Sequence, residues 1–235
     1  MSKTPEQAEI AERIASRFTS RWLRGYVRSK LARDPVYAAV YERLRDSPLP
    51  LLDIGCGIGL LAFYLRERGF EPPIAGIDMD DAKIKLARDA AEGRYAGLRF
   101  EQGDAREPQD GFRGNVALLD VVHYHDGIEQ QRLLTNAERH AIPGAIVILR
   151  ECPRDGSLRY RATYAEEWFA TAIGWLRVPM LNFPTLDEVA SVFRAKGYRE
   201  EIRPLWGRTP FNNHLFVFKA PEQSDPAPSV HPVSG

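Results

Sequence analysis

The sequence predicts an α/β fold in which a mostly parallel sheet of seven strands carries helices on both faces. Two observations support this prediction. Short apolar runs alternate with segments of helical periodicity, as expected for successive βα units. The first run, at residues 51–54, ends in a glycine-rich turn that leads directly into a helical pattern. The 235 residues suffice for one such domain with a small appendage.

Residues 1–47 are predicted to form an N-terminal helical extension or lid. Helix is expected over about residues 4–45, with an interruption or kink at Gly25 because glycine is a poor helix former. Asp34-Pro35 should start a second helix, since proline suits the first helical turn. The apolar residues expected to face the core are Ile10, Ile14, Phe18, Trp22 and Val27.

A stripe of arginines lies beside these apolar positions. Between Arg13 and Arg33 there are seven basic residues and no acidic one. Such a stripe is either a solvated helix face, a docking surface for an acidic partner, or a set of lid residues near a ligand. The stripe consists of Arg13, Arg17, Arg21, Arg24 and Arg28.

Residues 48–220 form the predicted main domain. A helix at 81–92 should turn Ile84, Leu86 and Ala87 inward. Further helices are expected after the glycine turn, at 128–140 and at 185–196. The predicted strands are 51–54, 74–78, 97–102, 115–120 and 146–150, followed by an antiparallel pair at 198–203 and 214–219.

An insertion at about 151–184 interrupts the βα repetition. By its residue pattern alone, it can be an ordinary amphipathic helix packed on the sheet edge. The tail at 221–235 is rich in Pro and Ser and is predicted to be disordered. The aromatic and large apolar residues of the insertion are Tyr160, Tyr164, Trp168, Phe169, Trp175, Met180 and Phe183.

The turn after the first strand reads D-I-G-C-G-I-G over residues 53–59. Glycines suit a place where backbone N–H groups approach a ligand closely, because a Cβ would push the ligand away. The dinucleotide pattern is G-x-G-x-x-G, and here Leu60 stands at its third glycine. A carboxylate at Asp53 fits poorly beside a pyrophosphate but suits a ligand that carries ammonium and sulfonium groups.

This turn resembles the first motif, D/E-x-G-x-G-x-G, of the class I S-adenosylmethionine (SAM)-dependent methyltransferases. The resemblance extends over about residues 48–219. It implies a Rossmann-like sheet, SAM as cofactor and S-adenosylhomocysteine as product. It also implies that the aromatic-rich insertion at about 151–184 forms a small cap over the substrate. The implied cofactor-binding residues are Asp53, Gly55, Cys56, Gly57, Gly59, Asp78, Met79, Asp104, Ala105 and Asp120.

Acidic residues at later strand ends support this resemblance. Asp78 ends the second strand, where a carboxylate can accept both hydroxyls of an adenosine ribose. The alternative for Asp78 is a helix N-cap. Asp104 and Ala105 match the acidic and small residue pair that contacts the adenine amine in the resembled family.

The residues His123, Tyr124 and His125 follow the fourth strand, in the loop that the resemblance places over the reactive methyl group. A hydroxyl nucleophile needs a base that titrates near the working pH, and histidine is such a base. If the loop is extended, the two histidines point to opposite sides. We therefore expect His123 to be the base and Tyr124 to orient a substrate oxygen, although either histidine could instead be structural.

A narrower resemblance is to the methyltransferases of bacterial aryl polyene pigment clusters. It rests on L-L-D-V-V-H-Y at residues 118–124 and on the pair Arg150-Glu151. It implies a phenolic or aryl acid acceptor, either free or tethered to an acyl carrier protein. Because such a carrier is acidic, it would give the basic segment Arg13–Arg33 a purpose.

Composition disfavours several other classes. The net charge of zero gives no sign of nucleic-acid binding, and the N/D-P-P-Y/F sequence of amino-methylating nucleic-acid enzymes is absent after the fourth strand. Asp120 and Asp126 are too few ligands for magnesium, so no metal is expected. No apolar run approaches the roughly 20 residues of a membrane span. The N-terminus lacks a signal-peptide pattern, and two cysteines cannot form a disulfide framework, so a cytoplasmic location is expected.

Two alternatives to a methyltransferase follow from the same strand, glycine turn and helix. One is a NAD-type oxidoreductase, which the missing third glycine and Asp53 disfavour. The other is a methyltransferase fold kept only as a binding module. The preferred function is in-line methyl transfer to a small aromatic or phenolic acceptor.

Overall fold

The computed structural model describes residues 5–109, 111–172, 181–207 and 209–222, with side chains described outside residues 5 and 166–172. The strands are β1 (Leu51–Ile54), β2 (Ile74–Asp78), β3 (Leu98–Gln102), β4 (Asn115–Leu119), β5 (Ile146–Glu151), β6 (Arg199–Pro204) and β7 (His214–Lys219). The helices are α1 (Pro5–Ala15), α2 (Arg21–Arg33), α3 (Val36–Leu44), α4 (Leu60–Glu67), α5 (Asp81–Ala91), α6 (Gly127–His140), α7 (Leu158–Ala172) and α8 (Leu186–Arg194).

The seven strands form one sheet in the order β3-β2-β1-β4-β5-β7-β6. Strands β1 to β5 run parallel, whereas β7 is antiparallel to both β5 and β6. Successive strand residues point to opposite faces. Accordingly, Leu51 packs in the core below α1–α5, while Leu52 and Ile54 pack in the core with α6 and α8. The predicted α/β fold is confirmed.

The N-terminal extension contains three helices, not the two expected. The chain leaves α1 after Ala15, and Ser20 caps the start of α2 by accepting a hydrogen bond from the Leu23 N–H. Gly25 lies inside α2 and does not interrupt it. Because the break resets the helical phase, Trp22 is 59% exposed and stacks on Tyr26, so its expected burial is wrong.

The arginine stripe forms bonds within the protein. Arg13 pairs with Glu67, and Arg28 pairs with Glu12. Arg17 donates to the backbone carbonyls of Ala90 and Glu92 at 2.9 and 2.7 Å. Three of the five arginines thus hold the extension together or against the main domain, so the stripe as a whole is not a free basic surface.

Other details of the main domain depart from expectation. Leu86 is 36% exposed, not inward, because only Ile84 and Ala87 of the three lie on the buried side of α5. In the insertion, the rings of Tyr160 and Tyr164 contact that of Phe183. The side chains of Trp168 and Phe169, the residues Trp175 and Met180, and the tail from residue 223 lie outside what the structure describes.

Candidate active site

The glycine turn after β1 forms an open cradle at the carboxyl end of the sheet. The N–H groups of Gly55 and Cys56 both donate to the carbonyl of Ile77, which fixes the turn against β2. Gly55, Gly57 and Gly59 have φ angles of 75°, 56° and 81°, a region that favours glycine. A Cβ on Gly55 would lie 2.4 Å from Val121, whereas one on Gly57 would meet nothing within 4 Å. A ligand can therefore approach the backbone at Gly57.

Asp78 is bonded to this turn. One carboxylate oxygen accepts the Gly57 N–H and the other accepts the Asp80 N–H, each at 2.9 Å. The N-cap of α5 is Asp80, which accepts from Ala82 and Lys83. The alternative role of Asp78 as a helix N-cap is thus wrong. Each carboxylate oxygen keeps a further lone pair for a ligand hydroxyl.

Asp53 is 2% exposed, and its Oδ2 atom has no hydrogen-bond partner among the described residues. Burial, with a smaller contribution from the negative charge of Asp78, raises the pKa of the Asp53 carboxyl to about 7. A buried carboxylate without a partner is costly, and a ligand with a positive charge would relieve that cost. This orphaned oxygen and the open space at Gly57 fit SAM.

Two of the predicted cofactor residues can contact a ligand only in limited ways. The Cys56 side chain is 9% exposed and packs toward Gly76 on β2, so only its backbone faces the turn. Burial raises the pKa of the Cys56 thiol well above its ordinary range. Met79 is 56% exposed at the end of β2.

Asp104 belongs to a charged network beyond β3. Its two oxygens accept from the Arg106 guanidinium, which also pairs with Glu129 on α6. The bond to Arg106 lowers the pKa of Asp104. His125 lies next in this network, with Nδ1 3.5 Å from Glu129. Ala105 is buried in the core beside these groups.

The loop after β4 turns sharply at Asp120, which has a φ of 60° and is the non-glycine residue with positive φ in the described part of the chain. The Arg150 guanidinium holds its carboxylate, with Nε 2.7 Å from Oδ1. Arg150 also binds both carboxylate oxygens of Asp34 at 2.6 Å. A single buried arginine therefore joins β5, the loop after β4 and the end of α2.

Glu151 holds the same loop from the next position of β5. Its Oε1 accepts the N–H groups of Val121 and Val122 at 3.1 and 2.8 Å. Its Oε2 lies 2.7 Å from Nδ1 of His123, and both side chains are almost fully buried. Acceptance by a carboxylate assigns a proton to Nδ1. Glu151 thus fixes both the backbone and the imidazole of the loop.

The loop is a turn of 3₁₀-helix over Val122–Tyr124, not an extended segment. The premise of an extended loop is therefore wrong, although the two histidines still point to different sides. His123 is 3% exposed, with its ring stacked on Phe183 at 4.9 Å, while its carbonyl accepts the Asn182 N–H. Tyr124 is half-buried against the His123 ring, and His125 lies on the other side, toward Glu129.

A cavity of about 280 Å³ adjoins this loop at Asp120. Its walls come from α2, from α7 and from the β6–β7 connection. Neither the glycine turn nor residues 122–125 line it. The space beside Asp120 is thus distinct from the cradle at Gly57.

Arg150, Glu151 and Asp34 organise the site, but none of them is predicted to do so from the sequence. Arg150 and Glu151 enter only as part of the narrower family resemblance. The available signal was a pair of opposite charges ending the apolar run of β5. Within the described ranges, no group of three or more His, Cys, Asp or Glu side chains is placed to hold a metal ion. No described helix has the length and apolarity required to cross a membrane.

We expect the buried Asp53 to make stability fall as pH rises. Its folded-state pKa of about 7 exceeds the ordinary 3.8, so unfolding releases a proton between about pH 4 and 7. The free energy of unfolding should decrease across that window, by at most about 4 kcal/mol, and level off above it. The free energy of unfolding of wild type and of Asp53→Asn should be measured between pH 5 and 8. The value for the variant minus that for wild type should increase with pH up to about 7. Parallel curves, like those expected for the exposed Asp46→Asn, would contradict this.

Removing Glu151 should destabilise the protein strongly. Glu151→Ala leaves two backbone N–H groups and one imidazole N–H buried without an acceptor, at about 1–3 kcal/mol each. We expect a total loss of at least about 3 kcal/mol in urea denaturation. Glu151→Gln, which keeps one carbonyl oxygen, should lose less, and the exposed Glu101→Ala should lose almost nothing. A loss below about 1 kcal/mol for Glu151→Ala would refute the arrangement.

Comparison with known proteins identifies the family. The profile described as "Methyltransferase domain" matches residues 45–195. A demethylmenaquinone methyltransferase of Deinococcus radiodurans is 30% identical over 188 residues, covering 72% of this chain and 75% of that protein. A ubiquinone biosynthesis O-methyltransferase of Rickettsia conorii is 24% identical over 151 residues, covering 63% of this chain and 50% of that protein.

Solved structures agree on the fold. Magnesium protoporphyrin IX methyltransferase from Synechocystis PCC 6803, solved with bound S-adenosylhomocysteine, matches with a TM-score of 0.62 at 18% identity. The match covers 90% of this chain and 93% of that one. Neither a NAD-type oxidoreductase nor a noncatalytic binding module gains support from these comparisons. The chain belongs to the methyltransferase domain family and is an S-adenosylmethionine-dependent methyltransferase.

Proposed function

We propose that the protein methylates a small aromatic or phenolic acceptor that binds in the cavity beside Asp120. The observation that carries this proposal is the position and lining of the cavity. It adjoins the end of β4 at Asp120, and its lining includes the aromatic residues Tyr26 and Phe211 and the aliphatic Leu205. Four of the thirteen lining residues are aromatic or apolar and nine are polar or charged, which suits a ring that carries polar substituents. The relatives whose names specify quinone biosynthesis agree with a ring-containing acceptor.

When bound, SAM supplies a methyl group on a sulfonium, which is already an electrophile. The protein then has to bind the acceptor, orient its nucleophile toward the methyl group and exclude water from the reacting groups. In this proposal Asp53 faces the ammonium group of SAM, Asp78 accepts the ribose hydroxyls, and Asp104 with Ala105 borders the adenine. The glycine turn lets the cofactor approach the backbone closely at Gly57, and Asp120 marks the border between cofactor and acceptor.

His123 has two possible roles, and the geometry favours positioning. Its ring lies between Tyr124 and Phe183, is held by Glu151 and does not line the cavity. A base must come within hydrogen-bond reach of the proton that it removes. A role of His123, or of His125, as general base, with Tyr124 orienting the acceptor, therefore requires the acceptor to reach beyond the lining of this cavity. As a positioning residue, His123 instead keeps the loop after β4 in shape.

The remaining sequence predictions rest on resemblance or composition alone. An aryl polyene-type acceptor, an acyl carrier protein docked on Arg13–Arg33 and a cytoplasmic location stay predictions. The bonds of Arg13, Arg17 and Arg28 within the protein leave less of the basic segment for a carrier.

The pH–rate profile of His123→Gln separates the two roles of His123. For a positioning role we expect kcat to fall less than about tenfold, with the shape of the profile unchanged. Loss of a general base predicts a fall of about 10²- to 10⁴-fold and disappearance of the limb at low pH. His214→Gln, on β7 and outside both the loop and the cavity lining, serves as the matched control.

Filling the cavity tests the site of the acceptor. Ser29 lines the cavity, and Ser29→Phe should occupy part of its volume. We expect a rise of at least tenfold in KM for whichever phenols the wild type methylates, measured by S-adenosylhomocysteine release. The affinity for S-adenosylhomocysteine should stay within twofold. The exposed Ser191→Phe should change neither value, and an unaltered acceptor KM in Ser29→Phe would place the acceptor elsewhere.

A further inference from the structure

Building on the proposed function, we propose that the acceptor carries a carboxylate, which Arg33 binds at the mouth of the cavity with Lys30 beside it. The acceptor would then be an aromatic acid whose ring lies between the walls and whose nucleophilic group points toward Asp120. The charges that line the cavity carry this inference.

Three cations and two carboxylates line the cavity, so its lining has an excess of one positive charge. Arg150 is buried and bonded to both carboxylates, Asp34 and Asp120. Lys30 lies 3.0 Å from Asp34. Burial alone would raise the pKa of Asp34, but Arg150 and Lys30 outweigh burial and lower that pKa to about 2. The two cations Arg150 and Lys30 are therefore already paired with carboxylates within the protein.

Arg33 is the third cation that lines the cavity. It lines the same cavity near the carboxyl end of α2 and is exposed. Among the described residues it forms no ion pair or side-chain hydrogen bond, in contrast to Lys30 and Arg150. A planar guanidinium can bind a carboxylate through two parallel hydrogen bonds. The exposed position places this charge at the entrance, while the buried Arg150 lies at the floor.

The size of the cavity suits a ring with substituents. An apolar cavity of about 150 Å³ already accepts benzene, and this one measures about 280 Å³. Tyr26 and Phe211 supply aromatic walls, and Leu205 supplies an aliphatic one. An aromatic carboxylate thus matches both the walls and the charge at the entrance, whereas a neutral quinol matches only the walls.

The carboxylate of SAM itself is the other possible partner for Arg33. The lining argues against it, because no residue of the glycine turn and neither Asp53 nor Asp78 borders the cavity. Of the residues predicted to bind the cofactor, Asp120 is the one that lines the cavity. The experiment nevertheless has to distinguish the two carboxylates.

Calorimetric titration with a hydroxybenzoate and the matching neutral hydroxybenzamide, in the presence of S-adenosylhomocysteine, tests the proposal without requiring turnover. We expect the wild type to bind the acid at least tenfold more tightly than the amide. Arg33→Gln should abolish this preference, and added salt should weaken it, because the arginine is exposed. Arg21→Gln, an exposed arginine of the same helix outside the cavity, should retain it.

Two results would overturn the proposal. One is equal binding of acid and amide by the wild type. The other is a loss of affinity for S-adenosylhomocysteine in Arg33→Gln without a loss for methylthioadenosine, which lacks the amino-acid portion, since Arg33 would then hold the cofactor. Binding of the acid that depends on Arg33, together with no methyl transfer to any acceptor, would support this inference and reject only the proposed function.

Discussion

Two adjacent charges at the end of β5 hold the active site together. Because successive residues of a strand point to opposite faces, Arg150 and Glu151 reach different parts of the structure. Arg150 binds Asp120 and Asp34, and Glu151 binds the backbone and the imidazole of the loop after β4. The sharp turn at Asp120, with its unfavourable φ, is kept in place by these bonds.

The same arginine ties the N-terminal extension to the loop after β4 and thus to the proposed acceptor site. Asp34 ends α2, and its ion pair with Arg150 anchors that helix over the end of the sheet. Removing one partner of a buried ion pair typically costs about 3–5 kcal/mol, so the helix position is strongly coupled to the site. Residues of α2 thereby become one wall of the cavity. The extension is thus part of the proposed acceptor site as well as a cover.

The cofactor half of the site uses a different arrangement of charge. Asp78 has backbone donors from the glycine turn, whereas Asp53 is buried with one oxygen unbonded. Burial, and to a smaller extent the negative charge of Asp78, raises the cost of ionising Asp53. The protein is therefore expected to be more stable with a cation beside Asp53 than without one. Carboxyl groups with strongly shifted pKa values tend to lie at functional sites. Stability of the free protein is reduced where ligand binding can restore it.

The sequence by itself determined the sheet, the glycine turn and the acidic residues at the strand ends. These features depend on local periodicity and on backbone conformations that glycine allows, both of which can be recognised within a few residues. Only the tertiary structure decided which side chains meet. Arg150 pairs with Asp34, which lies 116 residues earlier in the sequence. His123 is buried because it contacts Glu151 and Phe183. Trp22 is exposed because the break after α1 changes the helical phase. Such outcomes depend on how distant elements pack, and no local pattern encodes them.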